Sequence, residues 1–245
     1  MTVQLQDHVA LVTGAGRGIG RAVAVALAER GASVGLLARS EDELEQTADL
    51  CRRAGGSPHV LPADVTDVAA VGRVLARMKR ESGAPDIVVV NHGIYDHGNT
   101  LDRNADAAWD RVLDVNLRAS MQLTRRLLPE MIERDAKHRR ALVFVSSIAA
   151  RHHYAGAAAY CASKAGLSAF ADVVFEEVRN EGIKVVQILP GYVNTPMMAG
   201  DERIDPERMV QPEDVANAVC WAISSPKTCC PVEIVLRPQC TPYRR

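Results

Sequence analysis

The chain has 245 residues, 47% of them hydrophobic and 24% charged, enough apolar mass for one large core without metal or disulfide staples. Its 29 Lys and Arg stand against 30 Asp and Glu, a formal charge of −1. No field gathers a polyanion, which argues against nucleic acid as a partner. No apolar run approaches the roughly 20 residues that span a bilayer. Met1–Ala10 carries Gln, Asp and His where a signal peptide has a basic start and an apolar centre. The expectation is a cytoplasmic protein with no membrane role. The six cysteines lack a paired Cys-x-x-Cys frame and read as free thiols, with no metal site.

Along the chain, an apolar run over Val9–Val12 ends at Thr13–Gly14, and Ile19–Glu29 then shows helical spacing until Gly31. Ser33–Ala38 reads as a buried strand, Glu41–Arg53 as a charged amphipathic helix, His59–Leu61 as a short strand, Asp67–Arg80 as a helix and Ile87–Asn91 as a strand. One long helix is expected from Ala105 to Ile132. Strand Ala141–Ser146, helix Ala157–Asn180, strand Val185–Leu189, helix Pro212–Ile223 and strand Val232–Leu236 follow. Short, continuously apolar strands belong to parallel sheets covered on both faces. The expected fold is therefore α/β, a single-domain Rossmann fold over residues 1–245 with a doubly wound parallel sheet of about seven strands. Tyr192–Gln211 breaks the periodicity and reads as a flap after a strand's carboxyl end. Its Met197, Met198, Ile204 and Met209 are expected to close over a modest apolar group, which favours compact substrates, while its charged side chains stay in water.

The first turn runs Thr13-Gly14-Ala15-Gly16-Arg17-Gly18-Ile19-Gly20. Glycines there allow a sharp turn and close approach to a pyrophosphate, and the following helix offers unpaired N–H groups to the anion. Strand two ends Leu36-Leu37-Ala38-Arg39-Ser40. An NAD site usually places an acid near Ala38 to bind the ribose hydroxyls. With a neutral residue there, and Arg39 and Arg17 close by, two guanidinium groups can hold a 2′-phosphate, which favours NADP(H).

Tyr160 and Lys164 lie four apart on a predicted helix and so share one face. An ammonium near a phenol favours the phenolate, so Lys164 is expected to lower the Tyr160 pKa toward working pH and make it a general acid or base. Ser147, at the end of the preceding strand, can donate a hydrogen bond to a carbonyl oxygen as charge grows on it.

Together these residues resemble a classical short-chain dehydrogenase/reductase. The likeness rests on Thr13-Gly14-x-x-x-Gly18-x-Gly20, Asp64-Val65, Asn91-His92-Gly93, Asn116, Ser147, Tyr160-x-x-x-Lys164, and Pro190-Gly191 with Thr195. It implies a catalytic set of Asn116, Ser147, Tyr160 and Lys164. The implied cofactor set is Thr13, Gly14, Gly16, Arg17, Gly18, Ile19, Gly20, Arg39, Ser40, Asp64, Val65, Asn91, Gly93, Tyr160, Lys164, Pro190, Gly191, Val193 and Thr195. Within it, Asp64 would accept from the adenine amine and Asn91 would stabilise its strand near the cofactor. Thr195 would hold the carboxamide, and Lys164 the nicotinamide ribose. Asn116 would hold a water against Lys164, completing the relay that restores the Tyr160 proton.

The implied activity is hydride transfer between NADP(H) and the carbonyl carbon of a small ketone or aldehyde, reversible to an alcohol or hydroxy acid. Two alternatives stand beside it: a 3-oxoacyl carrier-protein reductase, and a catalytically silent NADP-binding sensor or structural protein. The tail Pro231–Gln239 lacks the Gly-rich ending common in the carrier-protein reductases, which counts against the first. The basic run Lys137-His138-Arg139-Arg140 reads as a solvated loop, His92 as a space-filling or surface histidine, and Cys161 as core packing. His152-His153-Tyr154 is a stretch that lines the pocket in similar proteins. The surplus of apolar positions on the helix at 157–180 points to a partner helix and so to a homo-oligomer; the resemblance implies pairing of this helix and the one around Asn116 in a homodimer or homotetramer.

Overall fold

The computed structural model describes residues 3–96, 100, 105–135 and 137–244. Seven parallel strands form one sheet in the order β3-β2-β1-β4-β5-β6-β7, with β1 Val9–Thr13, β2 Ser33–Ala38, β3 Ser57–Pro62, β4 Ile87–Val90, β5 Arg140–Val145, β6 Ile183–Pro190 and β7 Glu233–Leu236. The helices are α1 Gly18–Ala28, α2 Glu41–Arg53, α3 Val68–Ser82, α4 Asp106–Leu113, α5 Ala119–Glu133, α6 Ala158–Val178 and α7 Pro212–Ser224. The expected single-domain doubly wound fold is present. Among the described residues no helix is long and apolar enough to cross a membrane.

Successive side chains of a strand face opposite ways, and each strand here feeds two cores. Ala10, Val12, Val34, Leu36, Val89, Val143 and Ile188 pack with α1, α2 and α7. Leu11, Leu37, Val88, Val90, Leu142, Phe144 and Val185 pack with α3, α5 and α6. That two-sided burial is why the strands carry almost no polar residues. The sheet order reverses between β1 and β4, and the loops after those strands open a crevice at their carboxyl ends.

Three expectations need correction. The long helix is broken into α4 and α5 by a π-helical turn, Asp114–Arg118, whose Asn116 is drawn off the helix axis by bonds described below. The basic run is not solvated as a whole: Arg140 is buried, and its guanidinium donates to the carbonyls of Met131, Ile132 and Arg134. Arg139 bonds His8 and Ser225, and His138 approaches the buried Asp86, so only Lys137, paired with Asp135 at 3.7 Å, is well exposed. In the flap, Ile204 and Met209 are buried, Ile204 beside a tail that the pattern did not reveal. Val193 bridges Val210 and Ile204 bridges Tyr243, while Asp205 N–H donates to Pro242 and Arg244 N–H to Arg203. Met197 alone of the four expected apolar groups is well exposed.

Candidate active site

The β1–α1 turn is shaped by its glycines. A Cβ on Gly20 would lie 2.1 Å from the Gly14 carbonyl oxygen and 2.6 Å from Asn91 Nδ2, so only glycine fits. Gly14 and Gly18 take φ of 63° and 54°, a region that side chains disfavour. Asn91 locks the turn to β4: its amide nitrogen donates to the carbonyls of Thr13 and Gly14, and its backbone N–H to Thr13 Oγ1. Helix α1 begins without a side-chain cap, whereas Ser40 caps α2 and Asp67 caps α3. The first N–H groups of α1 are thus left for an external anion.

That helix end opens on a cleft of about 1040 Å³, large enough for a dinucleotide. Of the residues named for the cofactor, Gly14, Gly16, Arg17, Gly18, Ile19, Arg39, Ser40, Asp64, Val65, Asn91, Gly93, Tyr160, Lys164 and Thr195 line it. The remaining expected residues sit behind its wall. Thr13 is fully buried, Gly20 packs α1 on the turn, and Val193 is buried in the flap. Pro190 and Gly191 are fixed to β7, where Gly191 N–H donates to Leu236 O at 2.7 Å.

Four charged groups in the cleft, Glu43, Asp110, Arg111 and Asp114, carried no sequence signal. Glu43, on α2, accepts from the exposed Arg17 at 3.4 Å. Arg111, from α4, joins Arg39 beside Asp64. Burial pushes the Asp64 carboxyl up, but bonds from Thr66 N–H and hydroxyl at 2.9 and 2.7 Å, with both guanidinium charges, hold it below the ordinary value.

Tyr160 and Lys164, from the first turns of α6, line the cleft, whereas Ser147, which follows β5 and caps the short 3-10 turn Ile148–Ala150, stands behind them and outside its lining. Ser147 Oγ accepts from Ala149 N–H at 3.1 Å and hydrogen-bonds the Tyr160 phenol. Lys164 Nζ donates to the Val145 carbonyl at 3.0 Å and lies 5.9 Å from the Tyr160 ring centroid. The expected direction of the Tyr160 shift is overturned here: burial raises its pKa above the ordinary value, against the pull of Ser147. Lys164 is itself buried, and that burial lowers its pKa to about 8, while its ammonium is engaged with a backbone carbonyl. The phenol therefore keeps its proton, the form a general acid needs.

Asn116 does not face the cleft. Its amide nitrogen donates to Ile94 O at 2.9 Å and Ser163 Oγ at 3.0 Å, and its carbonyl oxygen accepts from Ile94 N–H at 2.8 Å. Ser163 in turn donates to Tyr160 O. Asn116 thus ties the loop after β4 to the turn of α6 that carries Tyr160 and Lys164, and the π-helical turn is what brings its amide there. His92 is buried in the same region. Its Nδ1 lies 2.8 Å from Thr13 Oγ1 and its Nε2 3.1 Å from Ser120 Oγ. Ser120 donates its proton to Asn116 O, and the Thr13 hydroxyl reaches Val89 O, so both ring nitrogens sit against hydroxyls that are themselves tied to the backbone. His92 is buried at the cleft wall, and Cys161 packs with Ala149 and Ala157.

The family model for the short chain dehydrogenases matches residues 8–204. The chain belongs to that family. It is similar to an oxidoreductase of Staphylococcus aureus (strain MRSA252), 34% identical over 97% of this chain and 100% of that one. A protein named as the ketoacyl reductase HetN of Nostoc sp. is 34% identical over 91% of this chain and 78% of its own. Among solved structures, a short-chain type dehydrogenase/reductase from Mycobacterium marinum superposes with a TM-score of 0.86 at 27% identity, covering 96% of both chains. A metagenomic short-chain oxidoreductase in complex with NADP gives 0.82 at 31% identity, covering 97% of this chain and 99% of that one. As a short-chain dehydrogenase, the protein is an oxidoreductase acting between CH–OH and C=O groups of small molecules with a nicotinamide cofactor.

Proposed function

We propose that this short-chain dehydrogenase is an NADP(H)-dependent carbonyl reductase for small ketones or aldehydes, running in reverse as an alcohol or hydroxy acid dehydrogenase. The observation that carries this reading is the Tyr160 phenol, hydrogen-bonded to Ser147 and backed by buried Lys164, in the wall of a cleft that also holds Arg17, Arg39 and Arg111. The nicotinamide, when bound, supplies or accepts the hydride. The uncapped end of α1 and the glycine turn hold the pyrophosphate, and the outer arginines hold the 2′-phosphate by charge-assisted bonds. Thr195, which packs against Gly18, holds the carboxamide, and Lys164 the ribose.

A carbonyl oxygen lying between the two hydroxyls receives a proton from Tyr160 and a hydrogen bond from Ser147. The burial that raises Tyr160 keeps that proton available at neutral pH, and the bond from Ser147 meets charge developing on the oxygen. Asn116 acts as a positioning residue through Ser163. The test is kcat/KM for NADPH and NADH on a panel of ketones, aldehydes, acyl thioesters and hydroxy acids. Preference for NADPH on a free carbonyl compound is expected; equal use of both cofactors overturns the cofactor assignment.

The likeness to a ketoacyl reductase favours a second reading, reduction of a carrier-bound 3-oxoacyl thioester. Against it, the one basic run that could meet an acidic carrier is folded into the base of the sheet. Salt-sensitive turnover confined to carrier-bound substrate would favour it. A binding-only role would leave the Ser147, Tyr160 and Lys164 arrangement without purpose, and absence of turnover across the panel would favour that role. We also propose self-association through the exposed Val173 of α6 and Met121 of α5. A monomer mass in sedimentation at micromolar concentration would contradict it.

A further inference from the structure

Aromatic residues make up only 4% of the chain, with three Phe, two Trp and five Tyr, yet all five tyrosines gather at one place. Tyr95 comes from the loop after β4, Tyr154 from the loop before α6, Tyr160 from α6, Tyr192 from the loop after β6 and Tyr243 from the tail. Tyr95 stands edge-on to Tyr160, with ring centroids 5.0 Å apart and planes at 87°. Tyr192 and Tyr243 cross at 75° with centroids 5.7 Å apart, and their hydroxyls are 2.5 Å apart. Tyr154 bridges the two pairs: burial pushes its phenol up, and so do the neighbouring groups of Tyr160, Tyr95 and Tyr192. The phenylalanines go elsewhere. Phe144 and Phe170 pack between sheet and helices, and Phe175 lies under Arg179.

Segments this far apart in sequence bring one residue type to the flank of the reacting phenol. Core packing does not account for the choice, because Tyr154 and Tyr243 remain 48% and 43% exposed. The rings offer crossed π faces and edges, which pair best with another aromatic ring set edge-to-face or offset. The charges beside them are already engaged: Arg203 donates to Asp201 at 2.8 and 2.7 Å, and Arg151 pairs with Glu233. The wall therefore offers aromatic surface and phenolic hydroxyls to a neutral ring, and no waiting cation from these pairs to a carboxylate.

We infer that the substrate is a compact, uncharged aryl ketone or aldehyde, its ring held by the tyrosine wall and its carbonyl between Ser147 and Tyr160. This rests on the reductase reading above. The carbonyl carbon gains a hydride from NADPH, which leaves as NADP⁺, and the oxygen gains the Tyr160 proton, so the C=O π bond is exchanged for C–H and O–H bonds.

The test separates binding from turnover. NADPH-loaded protein is titrated with 1-phenylethanol and with 1-cyclohexylethanol, matched in heavy atoms and unable to react because both partners are reduced. Binding about three- to tenfold tighter for the phenyl compound is expected, with the ratio falling toward one in Tyr95→Leu and in Tyr154→Leu; the exposed Tyr154 position tolerates leucine even where Tyr95→Leu does not fold. Equal binding by the unmodified protein overturns the inference, as does a preference that survives both substitutions. Phenyl preference in binding, with no NADPH-dependent turnover of acetophenone or cyclohexyl methyl ketone, supports the aromatic wall and overturns the reductase reading instead.

Discussion

Arg17 and Glu43 face each other across the outer end of the cleft at 3.4 Å, so the guanidinium nearest the glycine turn already has an anionic partner. A 2′-phosphate must compete with that carboxylate for Arg17. Glu43→Gln removes the competitor and its repulsion. We expect the Kd for NADPH to fall about two- to fivefold, the range set by exposed ion pairs, with the Kd for NADH unchanged. Equal strengthening for both cofactors in fluorescence titrations would show that Glu43 acts on the shared pyrophosphate end.

Tyr160→Phe keeps the ring that packs against Tyr95 and removes the proton. Turnover should fall by about 10²- to 10⁴-fold with NADPH binding preserved, whereas Lys164→Ala should lose both. Near-normal rates for Tyr160→Phe would sink its role as acid.

Lys164 is held at about 8 by burial. An anionic cofactor bound beside it favours the ammonium, so NADPH binding is expected to take up a fraction of a proton near pH 8.5 and much less at pH 6.5, where the lysine is already charged. Titration calorimetry in two buffers of different ionisation enthalpy reads this directly. Proton release at pH 8.5 would contradict it.

His92 is held neutral, its pKa lowered from 6.5 to about 4, chiefly by burial and next by Lys164. The unfolded chain binds that proton near 6.5 and the folded chain only near 4. Stability from this group is thus fully present above pH 6.5 and lost as pH falls through that window, by ~3 kcal/mol in all. Urea denaturation from pH 7 to 4.5 should show a flatter profile for His92→Asn than for the unmodified protein. Parallel profiles would place the acid sensitivity elsewhere.

Local pattern was enough for the strands, because burial on both faces writes an apolar run, and for Tyr160 and Lys164, because one helical turn separates them. The site's supports were not legible because they depend on residues far apart in the chain. Nothing near Asn116 announces a π-helical turn, whose cause lies at Ile94 and Ser163. Glu43 looks like one acid in a charged helix until α2 is folded against the glycine turn. Ile204 reads as part of a flap because the strap beside it, around Tyr243, arrives at the end of the sequence. The direction of the Tyr160 shift failed for a related reason: spacing shows that a lysine is near, and only the fold shows how deeply the phenol is buried, the effect that raises it.

The strand order bears on how the chain can assemble as it leaves the ribosome. Starting from β1, the strands β2 and β3 are laid down on one side and β4 through β7 on the other, so every new strand docks on an edge that already exists and none must be threaded between two others. Synthesis and sheet growth can proceed in step, with unpaired backbone confined to the two outermost strands at each stage. The helix that follows each strand then covers the newest layer before the next strand emerges.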